Sequence, residues 1–403
     1  MRKVIWVINQ TAGKPDSGWG ERHYFLSKYW VKKGYEVVII SGSYNHLFIN
    51  QPNIAKQTFT LEKIEEGITF CWVKIPVYNA ASVFKLWSMI VFAFKVLFLT
   101  KKIISKPDVI IVSSMPIFPI VSGWFLKKRY KAQKLFFEIR DLWPLTPLYL
   151  KGYKSYHPMI LLMKWLETFG YRKADYIVSL LPKAGQYINP ISRNPKKFVW
   201  IPNGIDQELL DKEQLSKEII YNIPKDKFII GYAGTIGLAN ALEYFIGASV
   251  ILKEDSSVYF VCVGDGYLKS ELQEITKGNS NITFLPKIKK SQVQLILEQF
   301  DVCFIGRNDT RLFDYGVSSN KYFDYMLAKK PVLVSSKYIN DPVQLSGCGI
   351  TVKPECANAI VEGIKSFQSM TVEQRNYMGK KGYYYVLKNH NFRILSEQYE
   401  QLF

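Results

Sequence analysis

The sequence predicts two doubly wound α/β domains, on three observations. The chain has 403 residues, more than a single domain of ordinary size. Its opening reads strand, glycine-containing loop, helix, strand, which is the pattern of a parallel sheet with a crossover helix. The same pattern restarts near residue 228, after a stretch carrying Pro182, Pro190, Pro195 and Pro202.

In order, residues 4–8 form a first strand and residues 11–20 a loop with glycines at 13, 18 and 20. Residues 21–33 have helical apolar spacing through Tyr24, Phe25, Leu26, Tyr29 and Trp30, and Gly34 stops the run. Residues 36–41 are a second strand. Further short apolar strands fall at 69–73, 109–113, 135–139 and 176–179, with mostly helical stretches between them. The proline-rich residues 183–205 read as an inter-domain linker holding one strand, at 198–201. In the second half, strands fall at 228–233, 258–263, 282–285, 302–305 and 332–335, with helical residues from Ala241, and the chain end reads as a helix. Two such domains bind ligands at the carboxyl ends of their strands, facing a cleft.

Composition narrows the function. Hydrophobic residues make up 48% and aromatics 15%, with no low-complexity tract, so the chain is globular. Five cysteines without paired metal spacing read as reduced thiols of a cytoplasmic protein, and four histidines make a histidine-built metal site a poor expectation. The apolar run after Arg2-Lys3 is too short for a secretion signal. The net charge of +19 is uneven: residues 1–200 hold 30 Lys+Arg against 11 Asp+Glu, and residues 201–403 hold 23 against 23. Such a basic first half suits an anionic membrane or a phosphate-bearing acceptor. No nucleic-acid recognition motif accompanies the charge, so no nucleic-acid partner is expected.

Four segments carry candidate chemistry. At 316–326, Gly316-Val317-Ser318-Ser319-Asn320-Lys321 leads into an amphipathic helix, whose unpaired N–H groups favour an anion. Lys321 adds a cation in the first turn and Asp324 an acceptor a turn on, an arrangement that suits a diphosphate and ribose hydroxyls; an ordinary capped helix is the alternative. At 231–237, Gly234, Thr235 and Gly237 form a loop between strand and helix, either a phosphate loop or a tight turn. In the first half, Gly18, Gly20, Arg22 and His23 occupy the equivalent place. Residues 138–144, Glu-Ile-Arg-Asp-Leu-Trp-Pro, close a strand and put Arg140 and Asp141 either at the cleft or in a buried ion pair.

Residues 82–100 are the most apolar stretch, interrupted by Lys85 and Lys95. On a helix Lys85, Ser88 and Lys95 fall within about 80°, at about 100° per residue. Burying both lysines near a bilayer centre costs roughly 2.5–3.5 kcal/mol each, which argues against spanning. Two readings stay open, an interfacial helix with its apolar side in lipid and a crossover helix packed on the sheet. The Leu161-to-Leu166 run joins the same surface on the first reading.

Taken in order, these segments resemble the retaining glycosyltransferases of the GT-B fold, family four. The marks are the glycine loop before Arg22-His23, then Arg140-Asp141-Leu142-Trp143-Pro144, and Glu167 with Tyr171-Arg172-Lys173-Ala174-Asp175. Ile201-Pro202-Asn203-Gly204-Ile205-Asp206 and Tyr232-Ala233-Gly234-Thr235-Ile236-Gly237 follow. Gly264-Asp265-Gly266, the run from Ser319 to Met326 and Arg375-Asn376-Tyr377-Met378-Gly379 complete the set. The Asp-Leu-Trp-Pro and Ser-Asn-Lys forms resemble bacterial transferases that build O-antigen and capsule repeat units, some using N-acetylfucosamine-type donors.

The resemblance implies an N-terminal acceptor-binding and membrane-facing domain over 1–182 and a nucleotide-sugar domain over 206–385, with a terminal helix over 386–403 returning to the first. It implies retaining transfer from a UDP-sugar to a polyprenyl-diphosphate-linked saccharide by a protein peripheral to the inner face of the cell membrane, with no cofactor and no metal. Asp324 would bind the donor ribose. Gly234, Thr235, Gly237, Ser319, Asn320, Lys321 and Arg307 would hold the diphosphate, and Asp141 or His23 would lie near the acceptor. The family's first donor-site acid would fall at Gly316, a departure. The alternatives are a nucleotide-sugar epimerase and a non-catalytic nucleotide-sugar-binding protein.

Overall fold

The computed structural model describes residues 2–54, 56–79, 83–206, 222–338 and 341–403. Ser82, the first residue of the apolar stretch, lies outside them, as do residues 207–221 at the start of the expected second domain. The chain forms two compact units. The first comprises residues 1–203, 315–317 and 392–403, and the second residues 204–314 and 318–391.

The first unit is built on an eight-stranded sheet. Its strands are β1 (Val4–Ile8), β2 (Glu36–Gly42), β3 (Phe59–Glu65), β4 (Ile68–Val73), β5 (Val109–Ser113), β6 (Lys134–Ile139), β7 (Tyr176–Ser179) and β8 (Phe198–Trp200). Their order is β3-β4-β2-β1-β5-β6-β7-β8, and only β3 runs antiparallel to its neighbour. Every residue of β1 and β5 is buried, as continuous apolar runs require when both sheet faces are covered. β3 was not expected; its charged Glu62, Lys63 and Glu65 hide it, as suits an edge strand.

Residues 183–205 correct the linker expectation. They form the helix Gly185–Ser192 and β8, which pairs with β7 inside the first sheet. Pro195 starts a short turn capped by Asn194, whose Oδ1 accepts from the Lys196 N–H at 3.2 Å, so this proline begins a local element. The terminal helix Phe392–Glu400 completes the unit by packing on the helix Arg22–Lys32. Phe25 stacks on Phe392 at 5.5 Å, Trp30 meets Tyr399 edge-on at 5.6 Å, and Trp30 Nε1 donates to the Ser396 carbonyl at 3.1 Å.

The second unit has six parallel strands, β9 (Phe228–Ala233), β10 (Val258–Val263), β11 (Ile282–Leu285), β12 (Val302–Gly306), β13 (Val332–Ser335) and β14 (Gly349–Val352). They lie in the order β11-β10-β9-β12-β13-β14. Its core centres on Phe245, Phe260 and Phe304, with Phe245 stacked on Phe304 at 4.5 Å. The order reverses beside β1 and β5 in the first sheet, which also carries the antiparallel β3·β4 pair at its edge, and beside β9 and β12 in the second. Open α/β sheets collect ligands at such reversals, outside the carboxyl ends of the strands.

Candidate functional site

The reversal in the second unit gathers the residues expected to hold a nucleotide. β9 ends at Ala233 and opens into Gly234-Thr235-Ile236-Gly237. This loop is fixed from the next strand, with the Gly234 N–H donating to the Val263 carbonyl and the Ile236 N–H to the Asp265 carbonyl, both at 2.9 Å. The helix Asn320–Leu327 points its first turn at the same place. Its N-cap, Ser319, makes no side-chain hydrogen bond to that turn, so the N–H dipoles remain available to an anion.

Lys321 spans the gap between helix and loop. Its Nζ donates to Asn240 Oδ1 at 2.9 Å and lies 5.3 Å from the centre of the Tyr232 ring. Asn240 is oriented in turn by donating to the Thr235 carbonyl at 2.8 Å. A Cβ at Gly234 would sit 2.3 Å from Lys321 Cε and push that side chain aside, so the glycine leaves the lysine its room. Burial, with the nearby Arg307 guanidinium, pushes the Lys321 ammonium down to about 7, and Asp324 only partly offsets this. Arg307 follows β12, is buried, stacks on Phe313 at 5.3 Å, and leaves its Nε without a partner among the described residues.

Asp324 lies one turn beyond Lys321. Both its oxygens accept from Lys290 Nζ, at 2.5 and 2.6 Å. Lys290 was not expected; it is 34 residues away in sequence and belongs to no motif. Asp324 is engaged by Lys290, and Arg307 lies near enough to Lys321 for its charge to depress that ammonium, so two cationic side chains gather beside the helix start. Ser319 is half-buried, while Asn320 and Thr235 are exposed. Gly316 has φ +104°, a backbone state that a glutamate would enter only with strain, so the missing carboxylate is matched by the backbone itself.

The expected residues of the first unit form a different object. Glu138, at the end of β6, is fully buried. Its Oε2 accepts from Arg22 Nε at 3.0 Å and from the Tyr399 hydroxyl, and its Oε1 meets His23 Nε2 at 2.9 Å and Ser113 Oγ at 2.7 Å. Arg22 also donates to the Pro202 carbonyl at 2.5 Å and the Ile201 carbonyl at 3.1 Å. Burial alone would raise the Glu138 carboxyl; the charges of Arg22 and His23 and the bonds from His23 and Tyr399 outweigh it and hold it well below the usual carboxylate range. Burial pushes His23 down, against the pull of Glu138.

Arg22 and His23 are thus 5% and 1% exposed, each with a partner inside the fold. Within residues 138–144 a buried ion pair forms at Glu138, with Arg22 of the helix Arg22–Lys32. Arg140 and Asp141 follow it and are half-exposed, with the Arg140 N–H held by Ser114 Oγ at 3.0 Å. Gly18 and Gly20 lie in the loop after β1, where the Gly20 carbonyl accepts from the Gly13 N–H at 3.1 Å. Ser113 and Tyr399, both holding Glu138, carry no sequence signal.

Comparison with known proteins supplies the class. A family model described as Glycosyltransferase Family 4 matches residues 20–209, and one described as Glycosyl transferases group 1 matches residues 227–369. No curated protein sequence matches the chain. Among solved structures, sucrose-phosphate synthase (tll1590) from Thermosynechococcus elongatus is similar at 17% identity and TM-score 0.76, over 100% of this chain and 98% of that one. Alr3699/HepE from Anabaena, solved with UDP and glucose, is similar at 12% identity and TM-score 0.69, over 100% and 99%. An E. coli structure titled trehalose-6-phosphate, bound with UDP-2-fluoro glucose, is similar at 12% identity and TM-score 0.72, over 99% and 98%. The fold is therefore GT-B, two Rossmann-like sheets. The protein is a glycosyltransferase, with a family 4 domain followed by a group 1 domain.

Proposed function

We propose that this protein transfers a sugar, with retention of anomeric configuration, from a UDP-sugar to a lipid-linked saccharide at the inner face of the cell membrane, in the assembly of a bacterial surface polysaccharide. The observation that carries the donor half is the pair Lys321 and Arg307 beside the uncapped start of the helix Asn320–Leu327. Similar structures were solved with UDP and with a UDP-sugar analogue, which supports a uridine diphosphate as the anion. Asp324, oriented by Lys290, accepts the ribose hydroxyls.

In the proposed reaction the bond from the anomeric carbon to the β-phosphate oxygen breaks. The acceptor oxygen bonds to the same face of the sugar, and its proton passes to the leaving phosphate oxygen. Lys321, Arg307 and the backbone amides of Gly234–Gly237 and Ser319–Lys321 stabilise the charge that develops there, so no metal is required. Of the two side chains considered for the acceptor, Asp141 is the half-exposed one. The basic first half and the lipid-seeking helices support the lipid-linked acceptor.

Incubation with a panel of UDP- and GDP-sugars tests the reading. UDP release from one UDP-sugar, with the product's anomeric configuration matching the donor's by NMR, is the expected result. Release from GDP-sugars alone, inversion, or interconversion of free UDP-sugars without UDP release each rejects it. A pH effect follows as well. In the free protein Lys321 titrates near 7, and a bound diphosphate raises it. Binding above that pH therefore takes up a proton, and UDP affinity falls as pH rises, approaching about tenfold per unit at the limit. Calorimetry at pH 8 in two buffers of different ionisation enthalpy measures the uptake, and equal heats in both would contradict it.

A further inference from the structure

The helix Val83–Val96 is turned opposite to what its polar stripe suggests. Ser88 is fully buried and accepts from Gln10 Nε2 at 3.2 Å, and Lys95 Nζ donates to the Lys74 carbonyl at 2.6 Å. Met89, Phe92, Ala93 and Val96 pack inward, while Phe84, Trp87 and Phe94 stand out, each more than half exposed. A helix that covers a sheet normally puts its polar stripe outward.

The neighbouring helices continue this face. The helix Pro119–Tyr130 lies alongside, with Ser122 Oγ donating to the Ala93 carbonyl at 2.6 Å and Tyr130 OH to the Leu99 carbonyl at 2.9 Å. The helix Pro158–Lys173 lies beside that, Trp124 meeting Phe169 edge-on at 5.6 Å. Phe125 on the second helix, and Leu161 and Trp165 on the third, are half or more exposed. Apolar surface this extensive marks an interaction site.

Charge selects the partner. Residues 83–173 hold 16 Lys+Arg against four Asp+Glu. Of the four, Glu138 is buried in the cluster above, and Glu167 is buried and accepts from Tyr171 at 3.0 Å and Tyr187 at 2.8 Å. Asp108 accepts from the Val4 N–H at 2.8 Å. None of the three helices carries an exposed carboxylate. Exposed Lys128, Arg129 and Lys131 end the second helix, and Lys164 lies beside Trp165. Aromatic side chains within a rim of uncompensated cations match the boundary between acyl chains and anionic headgroups.

We infer that these three helices form one continuous face that seats in an anionic bilayer, with Phe84, Trp87, Phe94, Phe125, Leu161 and Trp165 below the headgroups. This deepens the membrane element of the proposed function; among the described residues no helix is long and apolar enough to cross. The test is co-sedimentation with vesicles of phosphatidylglycerol and phosphatidylethanolamine, against pure phosphatidylcholine. The wild type is expected to bind the anionic vesicles, and Phe84→Ser/Trp87→Ser/Phe94→Ser to lose at least tenfold. Lys128→Glu/Lys131→Glu should lose severalfold, with weaker binding in high salt. Quenching of tryptophan fluorescence by brominated lipid should drop in both Trp87→Phe and Trp165→Phe, which leave the shape nearly intact. Undiminished sedimentation of the triple and double variants, or unchanged quenching, overturns the inference. So does a wild-type dimer in solution that the triple variant dissolves, since the face would then take a second copy of the chain. UDP binding measured in the same preparations separates the two readings: vesicle binding without UDP binding rejects the donor site and leaves the face standing, and the reverse rejects the face alone.

Discussion

Replacing Lys321 by Met weakens UDP binding roughly ten- to hundredfold while leaving the fold intact. The side chain is the cation nearest the glycine loop, held by Asn240 and poised over Tyr232. A hydrogen bond to a charged group contributes about 1.5–3 kcal/mol, which corresponds to that range. Met keeps the stem's packing and removes an ammonium that is already depressed by burial and by Arg307. Folding should therefore be little affected. Calorimetric titration with UDP reads the affinity and thermal unfolding reads the fold. An unchanged dissociation constant would remove Lys321 from the donor site, and with it the argument from surplus positive charge.

The second large effect falls on stability. Glu138→Gln keeps the shape of the side chain and leaves the buried Arg22 guanidinium without its carboxylate. Breaking a buried ion pair from one side costs about 3–5 kcal/mol, because the remaining charge is stranded. For a unit of this size that lowers the midpoint of thermal unfolding by on the order of 10 °C. Adding Arg22→Met in the same background should recover part of the loss, since no buried cation then remains. A Glu138→Gln protein that melts with the wild type would show that the cluster is not what holds these segments together.

The two sites were unequally legible. The parallel sheets follow from apolar runs broken by glycine, and Lys321 and Asp324 are readable because a helix start, a cation and an acid lie within six residues of Ser319. Lys290 was hidden, since a lysine that meets an aspartate 34 positions later leaves no local trace. The partners of Glu138 are more remote still: Arg22 lies 116 positions away and Tyr399 lies 261. Periodicity describes how an element presents its faces, and it is silent on which distant side chain will meet a given carboxylate. The stripe of Lys85, Ser88 and Lys95 shows the same limit from the other side. A polar stripe marks one face of a helix, and only the fold decided that Ser88 would turn inward to Gln10.

The hydroxyl on Glu138 belongs to Tyr399, in the helix Phe392–Glu400 that returns to the first unit after the second. A nascent chain emerges from the ribosome N-terminal part first, and domains ordinarily fold as soon as they are out. Here the first unit has its whole sheet available after residue 200, yet one bond to its buried Glu138 and the aromatic cover on Trp30 come from residues 392–403, which follow the whole second unit in sequence. Until they emerge, Phe25 and Trp30 lack their aromatic cover and Glu138 lacks one hydrogen bond. A chain that stops before residue 392 would therefore be marked by its own first unit, which offers quality-control proteases and chaperones a target.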